Sequence, residues 1–139
     1  MILLDTNVIS EMMKKSPSIS VMSWIDRQEV TQLFISTITM AEIFYGINAF
    51  PDGVRRQSIE DAFNKTIRSA FKHRILSFNE PASHIYGKIM GQRKALGKPM
   101  SVLDGQIAAI AISENAALAT RNICDFSDCD LEVIDPFTC

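Results

Sequence analysis

The sequence predicts an α/β domain in which a mainly parallel sheet of about five strands is covered by helices on both faces. Short apolar runs alternate along the chain with segments whose apolar residues have helical spacing. Strands that are buried on both faces read as continuous apolar runs, as these do. With 139 residues, 47% of them hydrophobic, the chain suits a single domain spanning residues 1–139.

The first third of the chain alternates strand and helix. The short apolar run Ile2 to Leu4 predicts a buried strand, and residues 8–14 predict the helix that follows it. A second helix is expected over about residues 19–28, after a Ser-Pro-Ser break. Residues 33–38 are rich in β-branched side chains and predict the second strand, followed by a helix over residues 39–50.

The middle of the chain carries the clearest helical stripe. Its apolar side recurs at alternating spacings of three and one along Ile59, Ala62, Phe63, Thr66, Ile67, Ala70 and Phe71. A third strand is expected over residues 75–78. The sequence Asn79-Glu80-Pro81 then predicts a helix start, and Gly97 with its flanking residues predicts the end of that helix.

The last third predicts one more helix and two more strands. Ser101 opens a helix that is apolar nearly all round from Ile107 to Ile112, which predicts a central position. Residues 116–120 and 131–134 are the expected fourth and fifth strands. Ligands of such folds bind outside the carboxyl ends of the strands.

Composition argues against several classes of protein. The longest apolar run, Ile107 to Ile112, is too short to span a membrane, and the first residues lack the basic segment of a secretory signal. Three cysteines, an odd number confined to the end of the chain, argue against a disulfide framework: Cys124, Cys129 and Cys139. We therefore expect a protein of the reducing cytoplasm.

Polar residues gather where strands end or helices begin. Asp5 directly follows the first strand, Glu42 falls in the first turn of the helix after the second strand, and Asn122 and Asp125 follow the fourth strand. The helix that begins near Asp104 leads into the fourth strand and so runs antiparallel to it. All four segments can therefore reach the same edge of the sheet.

Clustered carboxylates repel one another and resist ionisation unless a cation lies among them. Oxygen ligands of this kind suit Mg²⁺ or Mn²⁺, which can activate water and stabilise the leaving oxygen of a phosphodiester. The formal net charge of −2 argues weakly against a large basic surface for nucleic acid. If the four acids hold metal, however, the remaining surface is mildly basic.

Each polar residue also has an ordinary explanation. The pairs Thr39 with Glu42 and Ser101 with Asp104 both match a helix capping box, and acids in a first turn favour the helix dipole. For either acid taken alone, capping is the more frequent role. The remaining candidates occur elsewhere as turn formers or as solvated loop residues: Asp5, Asn122 and Asp125.

Four motifs occur in a fixed order: Leu3-Leu4-Asp5-Thr6-Asn7, Thr39-Met40-Ala41-Glu42, Val102-Leu103-Asp104-Gly105, and Thr120-Arg121-Asn122 with Asp125-Phe126. Together they resemble the PIN-domain family, in particular the VapC/FitB-type toxins of bacterial toxin–antitoxin pairs. The resemblance covers essentially the whole chain. It implies a three-layer α/β/α sandwich with a parallel sheet.

The resemblance also implies an activity, a cofactor and a site. The activity is RNA cleavage that depends on Mg²⁺ or Mn²⁺, with transfer RNA a frequent target of such toxins. Asp5, Glu42 and Asp104 become metal-site acids, and the Thr6 hydroxyl supports the first of them. Many relatives have a fourth acid where this chain has Asn122, so two alternatives stay open for the fourth position: Asn122 through its carbonyl, and Asp125 through its charge.

The partners implied by the resemblance are a second copy of the chain, giving a homodimer, and a cognate antitoxin that blocks the site and binds operator DNA. Methionines suit adaptable binding surfaces, so a groove for an antitoxin helix could involve Met12, Met13, Met22 and Trp24, although core packing is the commoner role. Four basic residues before the Asp104 helix could meet RNA phosphates, although a solvated helix face is commoner: Lys88, Arg93, Lys94 and Lys98.

Two other functions compete with a nuclease. An aspartyl-nucleophile phosphatase uses a similar sheet, but it usually has a second Asp two residues after the first, where this chain has Asn7. A protein without enzymatic activity could use the acidic pocket to receive a partner's Arg or Lys.

Overall fold

A computed structural model describes residues 1–138, and within them the chain forms five strands and six α-helices. The strands are β1 (Ile2–Leu4), β2 (Leu33–Ser36), β3 (Ile75–Leu76), β4 (Ala117–Ala119) and β5 (Val133–Ile134). The helices are α1 (Thr6–Met12), α2 (Ile19–Asp26), α3 (Thr37–Asn48), α4 (Val54–Ala70), α5 (Glu80–Ala95) and α6 (Val102–Ser113). Short 3-10 turns cover Val30–Gln32 and Ile123–Phe126.

The strands form one all-parallel sheet in the order β3-β2-β1-β4-β5, which confirms the predicted sheet. The central strand is β1, where Leu3 aligns with Phe34 of β2 on one side and with Leu118 of β4 on the other. The chain first builds outward through β2 and β3 and then returns to add β4 on the opposite side of β1. The carboxyl ends of β1 and β4 therefore flank a topological switch point, where α/β sheets bind ligands.

Helices cover both faces of the sheet. Successive strand residues point to opposite faces, so each face carries apolar side chains that the helices bury. Leu4 and Ile35 belong to the core shared with α1 to α4, whereas Leu3 and Leu118 belong to the core beneath α5 and α6. The five residues Ile107 to Ala111 are all at most 1% exposed. This burial confirms the central position predicted for α6 and the three-layer α/β/α arrangement.

Several predicted boundaries were wrong by a few residues. The predicted second strand, residues 33–38, ends at Ser36, because the Ser36 hydroxyl accepts a hydrogen bond from the backbone N–H of Thr39 and starts α3 at Thr37. The fourth and fifth strands are also shorter than predicted. The 3-10 turn Ile123–Phe126 was not predicted at all. Each error lies where side-chain capping or tertiary contacts decide the end of an element.

Two of the composition-based expectations can be compared with the structure. Across residues 1–138, every helix falls short of the length and hydropathy that a membrane crossing requires. Cys124 and Cys129 are free thiols, and the third cysteine, Cys139, lies outside the described residues.

Close packing between α5 and α6 depends on Gly105, the residue after Asp104. A Cβ atom placed there would lie 2.6 Å from Met90 Sδ and 3.0 Å from a ring carbon of Tyr86, both on α5. Neither approach is tolerated without movement. Gly105 therefore lets the first turn of α6, with its acidic residue, lie directly against α5.

We expect Gly105→Ala to lower the free energy of unfolding by about 1–3 kcal/mol, because Met90 and Tyr86 must move. Gly91→Ala is the matched control, since Gly91 lies on α5 with no atom within 4 Å of its added Cβ. The control should gain about 0.5–1 kcal/mol from its higher helix propensity. Urea denaturation of both variants measures the difference, and equal stabilities would contradict this account of the packing.

Candidate active site at the carboxyl edge of the sheet

Asp5 lies at the carboxyl end of β1 and caps α1. Its Oδ1 accepts a hydrogen bond from the backbone N–H of Thr6 at 2.7 Å. Its own backbone N–H donates to the carbonyl of Ala119 on β4 at 2.9 Å. The residue is 5% exposed. Sheet and helix together thus hold Asp5 between the ends of β1 and β4.

Thr120, directly after β4, fixes the second carboxylate oxygen of Asp5. The Thr120 hydroxyl donates to Asp5 Oδ2 at 2.8 Å, and it accepts from Asn7 Nδ2 and from the Asn122 backbone N–H, each at 3.1 Å. Thr120 belongs to the fourth motif, but the sequence did not indicate this role. Its signal in the sequence is a hydroxyl directly after the strand that neighbours β1.

The predicted role of Thr6 was wrong in one respect. Its hydroxyl donates to Glu42 Oε1 at 2.8 Å and therefore supports the second acid of the site, not the first. Thr6 contacts Asp5 through its backbone N–H instead. The hydroxyls of Thr6 and Thr39 also lie 3.1 Å apart. A hydroxyl has a single proton, so with the Thr6 proton on Glu42, Thr39 supplies the proton of this second bond.

Glu42 is not part of a capping box. Because α3 begins at Thr37, Glu42 is the sixth residue of the helix and lies beyond its first turn. The cap is Ser36, whose hydroxyl binds the N–H of Thr39. The helix-start explanation for Glu42 was therefore wrong. The half-buried carboxylate is instead oriented by Thr6 across the α1–α3 contact.

Asp104 lies in the first turn of α6, as predicted, and Ser101 caps this helix. The Ser101 hydroxyl accepts a hydrogen bond from the Asp104 backbone N–H at 3.2 Å. Asp104 therefore has the capping environment that the sequence indicated. Its half-buried carboxylate also interacts electrostatically with Asp5, so the predicted antiparallel path of α6 does bring the two acids together.

The fourth segment places its two candidates differently. Asn122 precedes the 3-10 turn Ile123–Phe126, and its backbone N–H is bound by Thr120. Asp125 lies within the turn, is exposed, and raises the pKa of Asp104 by charge repulsion. Both residues therefore lie at the same edge: the Asn122 backbone binds Thr120, and Asp125 is near enough to Asp104 to raise its pKa.

Arg93 binds the backbone of the segment that contains Asp125. It is 5% exposed, and its guanidinium donates to the backbone carbonyls of Lys98, Asp125 and Ser127. The predicted positions for Arg93, on a solvated helix face or against RNA phosphates, are therefore both wrong. Helical spacing gives no signal for an arginine that binds carbonyls far along the chain.

The carboxylates influence one another electrostatically. The pKa of Asp5 is raised to about 6, mainly by burial; hydrogen bonds from Thr120 and Thr6 oppose this rise, and the negative charges of Asp104 and Glu42 add to it. Burial likewise raises the pKa of Asp104; the Asp125 charge adds to this, and the Ser101 hydrogen bond and Arg93 oppose it. The four acids thus form a chain in which neighbours repel, running from Glu42 through Asp5 and Asp104 to Asp125.

These oxygen donors fit a hard divalent cation better than zinc. In the described part of the chain, no three Asp, Glu, His or Cys side chains are close enough together to form a ready-made metal site. Structural and catalytic zinc sites need three or four protein ligands. Mg²⁺, by contrast, is usually bound by one or two carboxylates, keeps several waters and adds substrate phosphates. Direct coordination of one ion by Asp5, Glu42 and Asp104 stays a prediction.

The raised pKa of Asp5 makes stability depend on pH. Because the folded-state pKa is about 6 and the ordinary value is 3.8, the folded protein binds more protons than the unfolded chain between these pH values. Ionising Asp5 therefore destabilises the fold as pH rises through this window. In EDTA, the stability of the wild type relative to Asp5→Asn should fall by about 2 kcal/mol between pH 4 and pH 7. Urea titrations measure this difference.

The matched control for the pH experiment is Asp130→Asn, an exposed acid in the loop before β5. It should keep the pH dependence of the wild type. Parallel stability curves for the wild type and Asp5→Asn across the whole range would contradict the assignment of a desolvated, repelled carboxyl at position 5.

Comparison with known proteins agrees with this geometry. Residues 2–128 match the model of the PIN domain. The chain is 39% identical over 137 residues to "VapC ribonuclease Y4jK" of Sinorhizobium fredii, covering 99% of this chain and 98% of that protein. It is 36% identical over 137 residues to "Toxin FitB" of Neisseria gonorrhoeae, covering 99% of each.

Solved structures give the same result. A crystal structure of FitAcB from Neisseria gonorrhoeae matches with a TM-score of 0.94 at 35% identity, covering 100% of both chains. A structure of FitAB bound to an IR36 DNA fragment matches with a TM-score of 0.92 at 36% identity, covering 99% of this chain and 96% of that one. Sequence and structure together establish that the chain belongs to the PIN-domain family.

Proposed function

We propose that this protein is a metal-dependent endoribonuclease, the toxin of a type II toxin–antitoxin system, whose single PIN domain spans residues 1–139. The observation that carries the proposal is the chain of mutually repelling carboxylates at the topological switch point, with Asp5 buried at its centre. Ionised carboxylates this close repel one another, and a divalent cation bound among them would reduce that repulsion. The ribonuclease and toxin names of its relatives support the same activity.

In this proposal Asp5, Glu42, Asp104 and Asp125 hold Mg²⁺ or Mn²⁺, directly or through water. The ion, when bound, supplies a water of lowered pKa and charge stabilisation for the RNA phosphate. The protein's own groups set the geometry. Thr120 and the Thr6 N–H fix both oxygens of Asp5, and the Thr6 hydroxyl fixes Glu42, so neither acid must reorganise when substrate arrives.

The fourth position is divided between two residues. Asp125 supplies the charge, since it raises the pKa of Asp104. The Asn122 backbone N–H binds the Thr120 hydroxyl that also binds Asp5, and we assign its amide carbonyl to a metal-bound water or an RNA hydroxyl. The aspartyl-phosphatase alternative has no support here, because Asn7 donates to Thr120 and Asp5 in place of a second acid.

The nuclease proposal predicts that Asp5→Asn and Asp104→Asn abolish Mg²⁺- or Mn²⁺-dependent cleavage of a labelled RNA mixture that includes transfer RNA. The loss should exceed the roughly 10- to 100-fold effect of disturbing a group that merely supports a metal ligand. EDTA should stop the wild-type reaction. Asp130→Asn, an exposed acid outside the chain of carboxylates, is the control and should cleave normally. Full activity of Asp5→Asn would contradict the proposal.

We further propose that a cognate antitoxin occupies a groove beside the acidic edge. The groove has a volume of about 1320 Å³, and Thr6 and Glu42 lie in its wall. Its lining is largely apolar and includes Met13, Ile43, Ile47, Phe50, Val54 and Ile59. Met13 is the one residue of the predicted set that lines the groove; Met12, Met22 and Trp24 do not, and Trp24 lies in the core.

A segment seated in this groove would reach the Glu42 carboxylate, so an inserted Arg or Lys would neutralise the acids as a metal ion does. The acidic site would then serve two purposes: it cleaves RNA in the free protein and receives a partner's Arg or Lys in the complex. In the same proposal, a homodimer acts in the cytoplasm, where the free thiols Cys124 and Cys129 stay reduced, and the antitoxin provides the contact with operator DNA.

The groove predicts a specific binding defect. Val54 is 88% exposed at the start of α4 and lines the groove, so Val54→Glu should weaken antitoxin binding about 10- to 100-fold by removing apolar contact. Calorimetry with the purified product of the adjacent small reading frame measures the effect. Ile19→Glu is the control, since Ile19 is 85% exposed and also begins a helix. Equal affinities for both variants would contradict the groove.

A further inference from the structure

Two exposed cations converge on one buried carboxylate beside the proposed catalytic edge. Glu11, on α1, is 6% exposed, and its Oε1 lies 3.0 Å from Lys14 Nζ and 3.5 Å from Arg121 NH2. Its Oε2 accepts a hydrogen bond from the Ser18 backbone N–H at 3.1 Å. The Lys14 and Arg121 side chains are themselves 59% and 54% exposed. Two positive charges around one negative charge leave a net positive surface.

Arg121 is held in place before any ligand binds. Its backbone N–H donates to Asn7 Oδ1 at 3.2 Å, and its guanidinium carbon lies 3.8 Å from the centre of the Phe137 ring. Stacking on an aromatic face fixes the plane of the guanidinium while leaving N–H groups for an anion. A fixed arginine loses little conformational entropy when it binds a phosphate.

Both cations are attached to elements that also carry the proposed reaction centre. Arg121 directly follows Thr120, whose hydroxyl binds Asp5. Glu11 is six residues after Asp5, so the helix rise puts it on the order of 9 Å away along α1. A strand of RNA covers this distance within about three nucleotides, at about 3.4 Å per stacked nucleotide.

We propose that Lys14 and Arg121 form a phosphate-binding subsite for the RNA backbone, next to the phosphodiester that is cleaved. The inference rests on the proposed ribonuclease function. A cluster of carboxylates repels a polyanion, so binding needs positive charge close by. The two cations supply that charge, and phosphate contacts of this kind position nucleic acid without reading its sequence. Glu11 orients both cations and partly neutralises them.

The test measures kcat and KM for a labelled single-stranded RNA in Mn²⁺, with Lys14→Gln and Arg121→Gln. Each substitution should raise KM about 5-fold and act on KM far more than on kcat. It should also reduce the slope of log KM against log salt concentration by about 0.7, the value for one lost contact to a single strand. Lys65→Gln and Arg68→Gln are the controls. Both residues are exposed near the end of α4, which leads into the amino end of β3 and so lies away from the site edge.

Glu11→Gln separates the phosphate subsite from a purely structural ion pair. If the cations bind RNA, removing the carboxylate charge should lower KM, the opposite of the effect of Arg121→Gln. If Glu11, Lys14 and Arg121 only brace the fold, all three substitutions should lower Tm and leave KM and the salt slope as in the controls. That second outcome would overturn the inference while wild-type cleavage of RNA still supported the proposed function. Absence of cleavage by the wild type would instead contradict the proposed function itself.

Discussion

The hydrogen bond from the Thr120 hydroxyl to Asp5 Oδ2, 2.8 Å long, is the interaction on which the acidic edge depends. It joins the ends of the two strands that flank the switch point of the sheet, and it orients a carboxylate that is almost fully buried. Burying an acid is unfavourable unless its oxygens are hydrogen-bonded. Thr120 and the first N–H of α1 meet that requirement without neutralising the charge, so Asp5 stays available to a cation.

Each of the remaining acids is also positioned by a neighbouring group. A second threonine, Thr6, fixes Glu42, a helix cap places Asp104, and the buried Arg93 holds the backbone that carries Asp125. The two threonines and the helix cap are neutral. Arg93 carries a positive charge, but its effect on the site is limited to a small lowering of the pKa of Asp104. The edge therefore stays negative, and this is the charge that the proposed divalent ion or partner cation would neutralise.

How much the sequence could predict depended on the range of the interaction. Asp5 and Asp104 were predictable because the first follows an apolar strand and the second has its cap three residues earlier, both local signals. The position of Glu42 in α3 was misjudged, since Ser36 and Thr39 are both acceptable caps and only packing selects Ser36. Thr120 binds Asp5, which lies 115 positions earlier, and Arg93 binds the carbonyl of Asp125, which lies 32 positions later. No local sequence pattern indicates contacts over such separations.

The order of the strands has a consequence for biosynthesis. The central strand β1 is synthesised well before its neighbour β4, which begins only at Ala117. Pairing over such a sequence separation is slow and comes after the loop between the two strands is complete. Until then Asp5 lacks Thr120 and the segment that carries Asp125. A chain terminated before Thr120 therefore cannot assemble the acidic edge, and under the proposed function it would have no nuclease activity.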